Sequence, residues 1–283
     1  AGLVRYRNYG LFGMASRPFN KFTRVDFTLY WFNVVQEFLQ LPDEPPRTIR
    51  SLLPSLQLVH DTAEWGLTGP INGFRGAVSA TYSPAYSNKS PEFLTVKTDL
   101  RKYYKLNDYY SFAFRLAGGS SVGHNPQQFF LGGVTNWLNR DFKGDIRINN
   151  IYDVYFSEFI TPLRGARYYE RSGDTFVLTN LEFRFPLIPY LQLGLPPIRL
   201  GNIQGLVFTD VGTAWNRTRE SYGYGNNEFR GVRNGRLEDL VSGYGIGARI
   251  YFLGFLVRYD LAWNYDLKNS SEPMHYWSLG VDF

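Results

Sequence analysis

Few residues of this 283-residue chain have the types and spacing that chemistry needs. The three histidines, His60, His124 and His275, stand far apart, and none shares a Glu-x-x-His or other metal-ligand spacing. Cysteine is absent, so the chain holds neither a disulfide framework nor a thiolate metal site. No Gly-x-Ser-x-Gly nucleophile turn and no glycine-rich phosphate loop occur. The adjacent acids Asp43-Glu44 and Glu238-Asp239 fall in polar stretches where solvated charge is the ordinary state. Spacing alone does not exclude a Ser/His pair, but the expectation is a protein that is not an enzyme and has no cofactor and no metal. The regularly placed charges lie inside apolar stretches. Asn180, Glu182 and Arg184, for example, alternate with Leu181, Phe183 and Phe185. What positions them is the next question.

The positioning elements read as strands. Period-two segments recur along the chain, separated by turn residues. Val25, Phe27, Leu29 and Trp31 oppose Arg24, Asp26, Thr28 and Tyr30; Leu56 and Leu58 oppose Ser55, Gln57 and Asp61. Phe74, Val78, Ala80 and Tyr82 oppose Arg75, Ser79 and Thr81, and Leu94, Val96 and Leu100 oppose Thr95, Lys97, Asp99 and Arg101. Tyr110, Phe112, Phe114 and Leu116 then oppose Ser111, Ala113, Arg115 and Ala117. Periodicity is lost over residues 118–173. It resumes at Val177–Pro186, at about 204–214, and in three final strands near 242–252, 255–264 and 275–283. Phe255, Val257, Tyr259, Leu261 and Trp263 form the clearest apolar stripe.

Regular charge on one face needs water, which a channel or the solvent side of a soluble sheet would supply. No helical pattern is available to cover the bulky apolar face, and this points to lipid. Mean hydropathy is −0.28, and no stretch approaches the ~20 apolar residues of a membrane helix. Strands that alternate hide their lipid face from such averaging. Aromatics make up 18% of the chain (Phe 23, Tyr 21, Trp 6), as girdles at two membrane interfaces would require. The net charge of +5 is spread along the chain, so a nucleic-acid partner is not expected. The fold expected is all-β, an antiparallel transmembrane β-barrel over residues 1–283.

Connections alternate in length. Those at 38–50, 84–91, 118–173, 216–240 and 265–274 fall on one end and are longer. Those at 18–21, 105–108 and 253–254 fall on the other, although 62–72 and 187–203 are long for that end. The strand count is about eleven, whereas single-chain bacterial barrels are normally even-numbered. Three explanations remain: a strand missed, a C-terminal portion of a longer barrel, or a wall completed by another polypeptide. The second is preferred. Ala1-Gly-Leu-Val-Arg5 has neither an initiator Met nor a leader pattern, so either processing or truncation is expected to have removed what came before.

Four segments carry a resemblance: Phe129-Phe-Leu-Gly-Gly133, Leu181-Glu-Phe-Arg-Phe-Pro186, Phe208-Thr-Asp-Val-Gly-Thr-Ala-Trp215 and Ser278-Leu-Gly-Val-Asp-Phe283. In order and spacing the chain resembles, over about residues 51–283, the C-terminal barrel of the bacterial surface-antigen family. That family is the outer-membrane assembly-factor superfamily of insertases and two-partner secretion transporters. Arg17-Pro-Phe-Asn-Lys-Phe-Thr-Arg-Val-Asp26 looks like members in which the barrel follows a periplasmic β-propeller.

The resemblance implies a sixteen-strand barrel in the bacterial outer membrane. It also implies an extracellular loop, 118–173, that folds back into the lumen. Gly132 and Gly133 match the family's loop motif. An Arg in a Val-Arg-Gly-aromatic tip should pair with acids on the following strands, matched here by Glu182 and Asp210. Leu138 occupies the place counted for that Arg, and Arg140, two residues on, is expected to take its role. Trp277, Leu279, Gly280, Val281 and Phe283 match the C-terminal barrel signal. The implied function is assembly or translocation of outer-membrane proteins; the alternative is an anchoring barrel without insertase activity. Implied partners are outer-membrane lipid and lipopolysaccharide, client proteins, and a periplasmic module or other envelope subunits.

Overall fold

The computed structural model describes residues 3–40, 44–140, 151–194, 198–217 and 229–281. Phe283, expected in the C-terminal signal, lies outside the described residues.

Eleven strands follow one another through a single antiparallel sheet, each paired with its sequence neighbours. They are β1 (Val4–Pro18), β2 (Thr23–Phe38), β3 (Arg47–Asp61), β4 (Pro70–Ser83), β5 (Phe93–Lys105), β6 (Ser111–Val122), β7 (Thr175–Leu193), β8 (Ile198–Trp215), β9 (Val241–Phe252), β10 (Phe255–Asn264) and β11 (Met274–Leu279). A two-residue strand, Glu64–Trp65, pairs with β4 and makes a twelfth. Among the described residues β1 and β11 are the two ends of the sheet. No described helix is long and apolar enough to cross a membrane, which says nothing against crossing by strands.

The alternation in the sequence is the alternation of faces. On β6, Ser111, Ala113, Arg115 and Ala117 are buried while Phe112, Phe114 and Leu116 are exposed. On β7, Asn180, Glu182 and Arg184 are buried and Val177 and Leu181 exposed; β10 buries Leu256, Arg258, Asp260 and Ala262. A face that exposes large apolar side chains in strand after strand and buries charge on the other is inverted relative to a soluble sheet. The buried, polar face is called the inner face below.

Local chemistry sets the short connections. Asn20 Oδ1 accepts from the amides of Phe22 and Thr23, and Asn107 Oδ1 accepts from Tyr109 and Tyr110. At Leu253-Gly254 both residues have positive φ, 49° and 83°, the two-residue hairpin turn that matches strand twist.

Three boundaries differ from those read in the sequence. Residues 118–122 continue β6, with Gly118 paired to both Thr98 and Val177. Gly118-Gly-Ser-Ser carries no large side chain, so the ladder persists where the hydrophobic alternation does not show. Much of 187–203 is strand, because β7 and β8 keep pairing beyond a bulge between Pro186 and Ile188. The last strand ends at Leu279, short of the expected 283, where Gly280 turns to φ 89° while its amide still donates to Leu256 O.

The described residues of the long connection, 123–140 and 151–174, lie on the inner face and have structure of their own. Phe129–Leu131 pairs in parallel with Glu158–Ile160 and antiparallel with Arg171–Gly173. A six-residue helix, α1 (Ile151–Phe156), precedes the second of these. Phe129, Leu131, Ile160, Leu163 and Ala166 of the loop pack with Ala117, Phe176, Leu178, Ala214 and Val241 of the wall in one buried cluster. A second cluster joins Ile151 and Phe156 to Val34, Ile49 and Phe93.

Candidate functional site

The site is the place where the loop meets the inner face of β7, β8 and β10. Gly132 and Gly133, both with positive φ (134° and 73°), turn the chain sharply after Phe129–Leu131. Gly133 and Leu163 then exchange two backbone hydrogen bonds, 3.0 and 2.9 Å. That bridge fixes the next residue, Arg164, against the wall.

Arg164 is fully buried. Its Nε donates to Asp210 Oδ2 at 2.7 Å, and Nη2 to Asp210 Oδ1 at 2.9 Å, a bidentate pair. Nη1 donates to Glu182 Oε1 at 2.7 Å, and the backbone amide of Arg164 adds a bond of 2.9 Å to Asp210. The guanidinium stacks 3.6 Å from the ring centre of Phe208, and Asp260 lies 4.0 Å away. Asn180 donates to Asp210 Oδ1 and to the carbonyl of Pro162, both at 2.8 Å, so strand and loop share one network. Burial opposes the charge on Arg164. The nearby carboxylates of Asp210 and Glu182 outweigh it and hold the pKa well above the usual arginine value. The charge is therefore kept at any working pH.

The neighbouring residues complete the fit. Gly165 has φ 82°, and a Cβ there would sit 2.6 Å from the carbonyl oxygen of Trp263. A Cβ on Gly243 of β9 would come within 1.7 Å of Arg164 O. Both glycines are needed for so close an approach of loop to wall. The hydroxyl of Tyr276, on β11, accepts from Gly165 N at 2.9 Å and donates to Ala166 O at 2.8 Å. Around this centre Glu182 also pairs with Arg184 at 2.7 Å, and Arg249 with Asp260 at 2.8 Å. Arg115 donates to Thr161 O at 2.5 Å while holding Asp99 at 2.8 Å.

The structure brings together Glu182 and Asp210, as expected, but around Arg164. Arg140, expected to pair with them, instead places its guanidinium 4.5 Å over the ring of Tyr168. The reason is geometric: the chain runs from the Gly132-Gly133 turn through a separate segment, and the bridge from Gly133 to Leu163 delivers residue 164. The signal was present in the sequence. Leu163-Arg164-Gly165 carries the Arg-Gly of the family's tip, with Leu for Val before it and Ala166 for the aromatic after it. Counting forward from the glycine pair obscured it. Of the C-terminal residues, Trp277 and Val281 are exposed and Leu279 is half-buried. Sequence reasoning missed Arg164, Tyr276, Gly165 and Gly243, and gave Asn180 no role at this site. The histidines take ordinary roles: His60 Nδ1 lies 2.8 Å from Thr23 Oγ1, and His275 Nδ1 lies 2.7 Å from the Tyr259 hydroxyl.

The Omp85 superfamily domain model matches residues 49–283. No protein of curated function matches the chain. Among solved structures, BamA from Haemophilus ducreyi lacking POTRA domains 1–3 superposes with a TM-score of 0.59 at 14% identity, over 98% of this chain and 55% of that one. CdiB from Acinetobacter baumannii gives 0.53 at 13% identity, over 99% and 43%, and CdiB from Escherichia coli 0.54 at 12%, over 99% and 45%. The chain thus spans about half the length of the structures it resembles.

Proposed function

Because this chain belongs to the Omp85 superfamily and is a protein of the bacterial outer membrane, we propose that it serves in assembling or translocating other proteins there. In this reading the eleven strands are the C-terminal part of a sixteen-strand wall. The apolar face meets lipid and lipopolysaccharide, and the loop 123–174 reaches from the cell surface into the lumen. The work is non-covalent. The seam beside β11 opens and presents a strand edge to an incoming polypeptide, while the loop keeps the C-terminal strands in register. Partners are client proteins and a periplasmic module or other envelope subunits. The reading involves no catalytic residue and no cofactor.

The observation that carries the proposal is the buried Arg164 between Asp210 and Glu182. Burying that charge is costly, and the two carboxylates that offset the cost lie on the C-terminal strands, so the pair ties the loop to the part of the wall beside the seam. The anchoring alternative drew in part on a departure at the loop tip; Arg164 supplies the Arg of that tip, while Leu163 and Ala166 still depart from the family's pattern. Depletion of the protein in its host tests the proposal. Other outer-membrane barrels should fall in level; release of its own partners alone, with barrel levels unchanged, would overturn it.

A further inference from the structure

The two edges of the sheet differ. Among the described residues nothing pairs with the outer edge of β1, whereas the outer edge of β11 is occupied by four residues of the loop. Trp137 bridges Ser278 in antiparallel sense. Leu138 N donates to Trp277 O at 2.7 Å, and Trp277 N donates to Asn139 Oδ1 at 2.9 Å. The side-chain amides finish the edge: Asn139 Nδ2 donates to His275 O at 2.9 Å and Asn136 Nδ2 to Leu279 O at 3.1 Å. Four polar groups of the edge strand are thereby satisfied by the loop.

The segment imitates a strand without being one. Three of these bonds use an asparagine side chain where a paired strand would use backbone, and Asn136 at φ 54° stops the mimicry after one turn of the ladder. Asn136, Leu138 and Asn139 are exposed; only Trp137 is anchored, 4.6 Å from the Tyr276 ring. A full antiparallel strand would make every bond the cap makes, with more pairs along the edge.

We propose that Asn136–Asn139 is a displaceable cap on the edge of β11, which an extended strand of an outer-membrane barrel substrate must push aside before it pairs there. The nature of that strand rests on the assembly function proposed above; the cap itself rests on the contacts just given. The Trp137–Ser278 bridge sets Leu138 opposite Trp277, and both are exposed; directly opposed residues of an antiparallel pair stand about 4.5–5.5 Å apart at Cα, within the range a disulfide spans. The chain has no other cysteine to interfere.

The test uses full-length protein in its host membrane, with a photoreactive benzoylphenylalanine at His275 and a newly made outer-membrane barrel as probe. In the Leu138→Cys/Trp277→Cys variant, oxidation should close the cap and lower crosslinking to the barrel at least tenfold, and dithiothreitol should restore it. Trp277→Cys alone should not respond to oxidant. In the unlocked protein, Asn136→Ala/Asn139→Ala should raise crosslinking. Equal crosslinking in oxidised and reduced protein, or none in reduced protein, overturns the cap. Depletion, read separately by barrel levels, decides whether the assembly function stands without it.

Discussion

Two of the contacts that hold the loop between β6 and β7 to the wall rest on opposite physics. Near its middle, Ile151 and Phe156 of α1 insert among Val34, Ile49 and Phe93, with Phe32 5.6 Å and Phe93 5.7 Å from the Phe156 ring. Near its end, Arg164 sits among the carboxylates of Asp210, Glu182 and Asp260. The apolar anchor touches β2, β3 and β5; the charged one touches β7, β8 and β10. Apolar burial is non-directional, so α1 could shift and still bury its rings. The guanidinium has a fixed fork of donors, and any shift would strand buried charge. The loop therefore tolerates movement against the N-terminal strands and resists it against the C-terminal ones.

Removing the charged anchor should have the largest effect. Arg164→Met leaves Asp210 buried without its cation and Glu182 with Arg184 alone, and should weaken docking of the tip by about 3–5 kcal/mol. Limited proteolysis between residues 158 and 170 reads this, and the wall itself should keep its heat-modifiable migration. Cleavage no faster than in the parent protein would remove the distinction between the anchors.

The apolar anchor should cost somewhat less and act elsewhere. Phe156→Ala should destabilise α1 by about 3 kcal/mol through lost burial and the cavity left behind. Proteolytic sensitivity should rise at 151–157 and stay unchanged at the tip. If both regions open together, the loop is one cooperative unit and the two anchors are not separable.

The smallest effect sharpens the picture at the tip. Tyr276→Phe removes a hydroxyl that bonds Gly165 and Ala166, and should cost about 1 kcal/mol by urea unfolding. A double-mutant cycle with Arg164→Met should show coupling, because Tyr276 contacts the residues directly beyond Arg164.

The same contrast explains what the sequence disclosed. The wall strands were legible, since large apolar side chains on β5, β6, β7 and β10 alternate with charge. Where side chains shrink, as in Gly118-Gly-Ser-Ser, or prolines intervene, as at Pro186 and Pro189, the ladder continues unseen. Helix α1 is too short to show a period, and the segments Phe129–Leu131 and Glu158–Ile160 pair in parallel across 26 intervening residues. Glu182 and Asp210 were legible through the resemblance, as the acids that a loop-tip Arg would meet. Their partner was not, because counting forward from the glycine pair pointed to Arg140, and only the Gly133–Leu163 bridge selects Arg164.

The central claim is that charge on the wall, not packing around the loop, fixes the tip. Hydrogen exchange at the amides of Arg164 to Ala166, compared between the parent and a Glu182→Gln/Asp210→Asn variant, tests it most directly. Slow exchange in the parent, accelerated about 100-fold in the variant with α1 unchanged, is the predicted result, corresponding to about 3 kcal/mol. Equal rates at the tip in both proteins would contradict it.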